Sequence, residues 1–202
     1  MSFETESQRV SYGIGRQMGD QLASSNIPDL DLDGVAAGLR DAFNQQPSQV
    51  AEADLQEAFQ SLQAKMQAQA DQAAGAMRQA GEEFLAENAK REGVVTLASG
   101  LQYEVINAGT GATPTASSTV QTHYEGTLIN GDVFDSSYKR GQPAEFPVVG
   151  VIAGWTEALQ LMQEGAKWRL FIPSDLAYGE RAAGSIPPHS ALVFDIELLK
   201  VL

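Results

Sequence analysis

The sequence predicts an α+β protein in two parts: an all-α N-terminal arm built around one very long helix, and a C-terminal antiparallel sheet wrapped on a short helix. Three observations predict it. Apolar residues recur every three or four positions up to about Gly93 and alternate between Gly-rich turns after it. No proline interrupts the stretch from Ser48 to Arg91. The ending from Ala191 to Val201 alternates cleanly. The break divides the 202 residues into a helical part, 1–94, and a sheet part, 95–202.

In the first part, Val10, Ile14, Met18 and Leu22 lie four apart and define one face of a helix that Pro28 and the Asp29 to Asp33 segment should end. Val35, Leu39 and Phe43 define a second, with Asp31 or Asp33 as N-cap and Pro47 beyond its end. A third helix, about 48–92, is rich in Ala, Gln, Glu and Lys and would reach on the order of 65 Å at 1.5 Å per residue. It carries Leu55, Phe59, Leu62 and Met66 as a seam for another helix. From Ala68 to Ala80 its face pales to Ala and Met77, and Gly75 and Gly81 weaken it. The first two helices and the start of the third are therefore expected to pack together, and the rest to be an exposed stalk. Three short amphipathic pieces bury little alone, so a homodimer through helices 1–3 is the expected solution.

In the second part, Leu101–Asn107, Val120–Leu128, Lys167–Ile172 and Ala191–Val201 read as strands. The last sets Leu192, Phe194, Ile196 and Leu198 on one side, with Asp195 and Glu197 on the other. Asn130-Gly131 predicts a hairpin, both residues tolerating positive φ. Thr156 to Met162 is the helix candidate.

Composition narrows function. The net charge is −13 and both parts are acidic, so phosphate backbones and anionic lipid would be repelled, and neither a nucleic-acid nor a membrane partner is expected. Cysteine is absent, which removes disulfides, thiolate nucleophiles and Cys-type zinc sites. The two histidines, His123 and His189, sit in no zinc motif or nucleophile elbow, no Walker loop occurs, and no cofactor is expected. No positively charged start precedes an apolar run, and the expectation is a soluble, cytoplasmic protein.

What stands out is a series of aromatic and aliphatic residues beside Gly or Pro: Tyr124-Glu125-Gly126, Val133-Phe134-Asp135-Ser136-Ser137, Val151-Ile152-Ala153-Gly154-Trp155, Ala177-Tyr178-Gly179 and Ile186-Pro187-Pro188-His189. By pattern alone Tyr124, Phe134, Phe146 and Phe194 read as core, Asp135 and Arg140 as a surface ion pair, and both histidines as structural. In order and spacing, from about Leu97 to Leu202, these segments resemble the FKBP family of peptidyl-prolyl cis-trans isomerases, or rotamases.

The resemblance implies a pocket with Trp155 as floor, and with Tyr124, Phe134, Phe146, Val151, Ile152, Ile186 and Phe194 as walls. Asp135 and Tyr178 would be its polar rim. It further implies that the Ile152 N–H and the Tyr178 hydroxyl bind ligand carbonyls, and that Tyr124 and Arg140 hold Asp135. Two departures thin the outer wall: Ala144 stands where small members of the family have an aromatic, and the loop from Tyr178 to Ile186 is one residue shorter, with Ala182 and Ala183 where a histidine is common.

Ser11 to Leu22 is similar to the first helix of the bacterial Mip-like dimeric subfamily, whose long helices hold two isomerase domains apart in a V. The partners so implied are a second copy, unfolded or partly folded chains with exposed X-Pro held in a chaperone-like cleft, and macrolide inhibitors such as rapamycin.

Overall fold

The computed structural model describes residues 3–25 and 27–202. The chain forms two compact units, Met1–Ala70 and Asp71–Leu202.

The first unit is helical. Helix α1, Glu6–Ser24, starts in a capping box: Thr5 Oγ1 accepts from the Gln8 N–H, and Gln8 Oε1 accepts from the Thr5 N–H. Helix α2, Leu32–Phe43, is capped by Asp31, whose carboxylate accepts the N–H groups of Asp33 and Gly34. Helix α3, Glu52–Asn88, begins in this unit; Ser48 delays its start by bonding Val50 through its hydroxyl. Neither α1 nor α2 has a buried residue. Val10, Ile14, Phe43 and Phe59 are more than half exposed, so the expected mutual packing of the three helices is not formed within one chain. Spacing marks an apolar face without saying what covers it.

The second unit holds one antiparallel sheet of β1 (Val94–Thr96), β2 (Gln102–Asn107), β3 (Thr119–Leu128), β4 (Val133–Ser136), β5 (Ala144–Pro147), β6 (Lys167–Ile172) and β7 (Leu192–Val201). The order is β1-β2-β6-β7-β3-β4, and β5 also pairs with β3. Strand alternation gives the sheet one continuous apolar face and an opposite face that is charged except around Phe171 and Val193.

One face carries Trp168, Leu170 and Ile172 of β6 with Leu192, Phe194, Ile196 and Leu198 of β7, all buried. Helix α5, Ala153–Leu159, lies on it. It lies so close that a Cβ on Gly154 would stand 2.6 Å from Ile172 Cγ2. The helix begins three residues before the expected Thr156, because Thr156 Oγ1 bonds the Val148 carbonyl at 2.7 Å and Ile152 is the N-cap, which puts Trp155 in the first turn.

On the opposite face the last turns of α3 lie against the end that carries Phe171 and Gln102. Ala74, Met77, Ala80, Gly81, Phe84, Leu85 and Asn88, spaced at three and four, are its less exposed residues. Gly81 is buried with Ala191 Cβ 3.1 Å from where its own Cβ would lie, and the Phe84 and Phe171 rings are 6.0 Å apart. Buried Asn88 donates to Gln102 Oε1 at 2.8 Å, while Gln102 Nε2 donates to the Leu85 carbonyl at 2.9 Å. Arg78 donates to His189 Nδ1 at 3.1 Å, since a guanidinium can only donate. The expected stalk is thus, from Asp71 on, part of the sheet's packing. Gly81, which weakens it as a free helix, lets its backbone approach Ala191, whereas Gly75 has open space about it.

The Asn130-Gly131 hairpin forms with a different turn. Only Gly131 has positive φ, the Gly131 N–H donates to the Leu128 carbonyl, and Asn130 Oδ1 accepts the Asp132 N–H. This is a four-residue turn closing on a glycine bulge rather than a two-residue loop. No helix among the described residues is long and apolar enough to cross a membrane.

Candidate active site

Trp155 stands at the centre of a ring cluster, 4% exposed, with the rings of Tyr124, Phe194 and Phe146 edge-on to it at 5.2, 5.2 and 5.8 Å. Phe134 meets Phe194 edge-on at 5.5 Å. Edge-to-face packing sets the positive rim of one ring on the negative face of the next and locks the cluster. Above it opens a cavity of about 660 Å³, a volume suited to a small molecule or a few residues of peptide.

Each wall comes from a different element. Tyr124 is on β3, Phe134 and Asp135 on β4, Phe146 on β5 and Phe194 on β7. Val151 and Ile152 lead into α5, and Tyr178 and Ile186 bracket a loop. All ten residues singled out in the sequence line this one cavity. Gly150, Gly184 and Ser185 line it too and were not foreseen. Gly184, at φ +59, forms with Ser185 the tip of a tight turn in which Ala183 and Ile186 exchange N–H and carbonyl bonds. A Gly-Ser pair in a loop is a turn signal, but only the folded loop shows that the turn overhangs the cavity.

Polar groups stand at the rim. The Tyr124 hydroxyl donates to Asp135 Oδ2 at 2.6 Å and accepts from Arg140 Nη2 at 2.7 Å, and Arg140 Nη1 donates to Asp135 Oδ1, closing a three-residue ring. The guanidinium also lies 5.5 Å above the Tyr124 ring. Burial alone would lift the Asp135 carboxyl, but the bonds from Tyr124 and Arg140 outweigh it and hold it below its ordinary value. Burial, and then the bond to Asp135, push the Tyr124 phenol up. Tyr178 is 40% exposed at the mouth. Among the described residues the Ile152 N–H has no acceptor, so a donor is free at the cavity's edge.

Residues 111–199 match the family model described as FKBP-type peptidyl-prolyl cis-trans isomerase, and residues 7–105 match that of the domain amino-terminal to it. Over 202 residues the chain is 49% identical to the FKBP-type 22 kDa peptidyl-prolyl cis-trans isomerase of Escherichia coli (strain K12), covering 100% of this chain and 98% of that one. The chain belongs to the FKBP-type peptidyl-prolyl cis-trans isomerases. It is also similar to the isomerase Mip of Coxiella burnetii, 43% identical over 203 residues and covering 98% of this chain and 88% of that one. Among solved structures it resembles FkpA from Escherichia coli, with a TM-score of 0.77, 38% identity, and 99% and 98% of the two chains covered.

Of the two departures noted in the sequence, the one at Ala183 lies in the cavity's lining and the one at Ala144 does not. Ala144 pairs with Thr122 and packs partly buried against the core, while Ala183 lines the cavity near Ile186. The loop closes through the Ala183–Ile186 turn, which puts the small residues Ala183, Gly184 and Ser185 in the cavity's lining.

Proposed function

We propose that this isomerase accelerates X-Pro rotation in folding proteins by taking the proline ring onto Trp155, with the Ile152 N–H and the Tyr178 hydroxyl receiving flanking carbonyls. The observation that carries the reading is the apolar aromatic cavity whose polar groups are confined to its rim. Rotation about an X-Pro bond breaks amide resonance against a barrier of about 18–20 kcal/mol. The planar amide is the charge-separated form, so a site that strips water from it favours the twisted, less polar form. No bond is broken. Each tenfold in rate needs only about 1.4 kcal/mol of such preference. The ring of Tyr124, Asp135 and Arg140 keeps the rim in one arrangement while the substrate amide turns.

The chain acts, on this reading, as a homodimer joined through α1 to α3, whose exposed apolar faces support the pairing. Two pockets on one dimer would hold an unfolded chain at both, raising its local concentration at each. Macrolides such as rapamycin would compete for the same cavity.

The test is isomerisation of a short X-Pro peptide by the full chain, with rapamycin as competitor, beside Phe134→Ala and Asp135→Ala. The expected result is inhibition by the macrolide and roughly a tenfold or greater loss in each variant. An inactive, folded wild type would sink the catalytic reading and leave a proline-binding module.

A further inference from the structure

Along its outer side β3 pairs with β5 from Thr119 to Thr122 and with β4 from Glu125 to Thr127. Between these runs, at His123 and Tyr124, neither strand lies alongside. The chain has left β4 at Ser136 and turned through the single helical turn α4, Ser137–Arg140. The backbone of Tyr124 therefore faces a gap in the ladder, where an unpaired N–H and carbonyl would be costly to bury.

One side chain fills the gap. Ser137 is fully buried, and its hydroxyl accepts from the Tyr124 N–H at 2.7 Å and donates to the Tyr124 carbonyl at 3.1 Å. It does alone what a neighbouring strand residue does with its own N–H and carbonyl. A third contact, to His123 Nδ1 at 2.9 Å, completes the oxygen. A hydroxyl has one hydrogen and two lone pairs. With the hydrogen given to the carbonyl and one lone pair to the N–H, the remaining bond must be donated by His123, which puts a proton on Nδ1. The imidazole is held in turn by stacking on Tyr138 at 4.7 Å, whose hydroxyl donates to Glu197 at 3.0 Å.

Ser137 is two residues from Asp135 and three from Arg140, and the residue whose peptide it clamps is the one whose hydroxyl joins that pair. We infer that Ser137, oriented by His123, is a positioning residue of the isomerase site, fixing Tyr124 against the segment that carries Asp135 and Arg140. It touches no substrate. It sets the distance between two strands' contributions to one rim, where ordinary strand pairing is interrupted. The inference rests on the pocket being the isomerase site.

The experiment uses the full chain and an X-Pro peptide, comparing wild type with Ser137→Ala, Ser137→Thr and the pocket variant Phe134→Ala. The expected result is a fall in kcat of about tenfold in Ser137→Ala with KM within about twofold of wild type, because the apolar walls that bind the proline are untouched. Ser137→Thr, which keeps the hydroxyl, restores kcat. In the imidazole nitrogen spectrum of wild type, Nδ1 of His123 is the protonated nitrogen, and the signal moves in Ser137→Ala. Wild-type kcat in folded Ser137→Ala, or a bare Nδ1 in the wild type, overturns the inference. Should the alanine variant fail to fold, Ser137→Cys decides, since sulfur is a weak donor that cannot replace both Tyr124 bonds; wild-type kcat there overturns it equally. Loss of activity in Phe134→Ala but not at Ser137 leaves the pocket reading standing, whereas an inactive wild type removes the pocket reading itself.

Discussion

Gly126, in the middle of β3, has a hydrogen where any side chain would strike rings: a Cβ there would lie 2.6 Å from both Phe134 and Phe194. A glycine inside a strand marks such a close approach, so this part of the pocket is written in the sequence as an absence of side chain. Gly126→Ala is expected to push both rings off their packing, lowering kcat/KM about tenfold and costing roughly 1–3 kcal/mol of stability; peptide kinetics and a denaturant melt check it. At Asp135 the prediction concerns pH. Its folded value lies below the ordinary carboxylate value of about 3.9. The contribution of its ring of bonds is therefore complete above that value and is lost as pH falls through the lower, folded one. Wild-type kcat/KM should hold from neutrality to about pH 5 and fall on an acid limb below about pH 4 that Asp135→Asn lacks. Pattern alone assigned Phe134, Phe146 and Phe194 to the core, and they do pack against it; that they also wall a cavity follows from where β4, β5 and β7 end, which alternation does not encode.

At the scale of elements, periodicity located α1, α2, α3, β2, β3, β6 and β7, because each has either a cap or a long run of one period. It missed β1, β5 and α4, which are three or four residues long, the two strands held by pairing with other strands and the helix by its caps at Ser136 and Gly141. Helix α3 shows the other limit. Its second half looked too pale for burial, yet Gly81 and Asn88 are its buried residues, one fitting by smallness and the other by two partners. Gly81→Val should force the helix from Ala191 and lower stability by about 1–3 kcal/mol. Gln102→Leu should do so by about as much, by leaving Asn88 short of an acceptor. A fragment of residues 71–202 should accordingly melt above one of residues 95–202, which leaves Phe171 bare; calorimetry on the pair tests it.

For the whole molecule, the exposed faces of α1, α2 and early α3 lead to a solution measurement. Sedimentation of the full chain should show a dimer that Met18→Arg together with Phe59→Lys reduces to monomer. That variant should keep peptide activity within about twofold and lose most of its effect on refolding of an unfolded protein, as loss of a second pocket requires. The amphipathic spacing announced these faces, but what covers them cannot be read from one chain's pattern. The whole chain holds two tryptophans, and the fold gives them opposite fortunes. Trp168 is buried and stacked on Tyr103 at 4.3 Å, away from the cavity, whereas Trp155 is the cavity's floor. Tryptophan emission thus comes from one ring that lines the cavity and one that does not. In Trp168→Phe, emission would come from the floor alone, and the molecule would signal its own occupancy without a label.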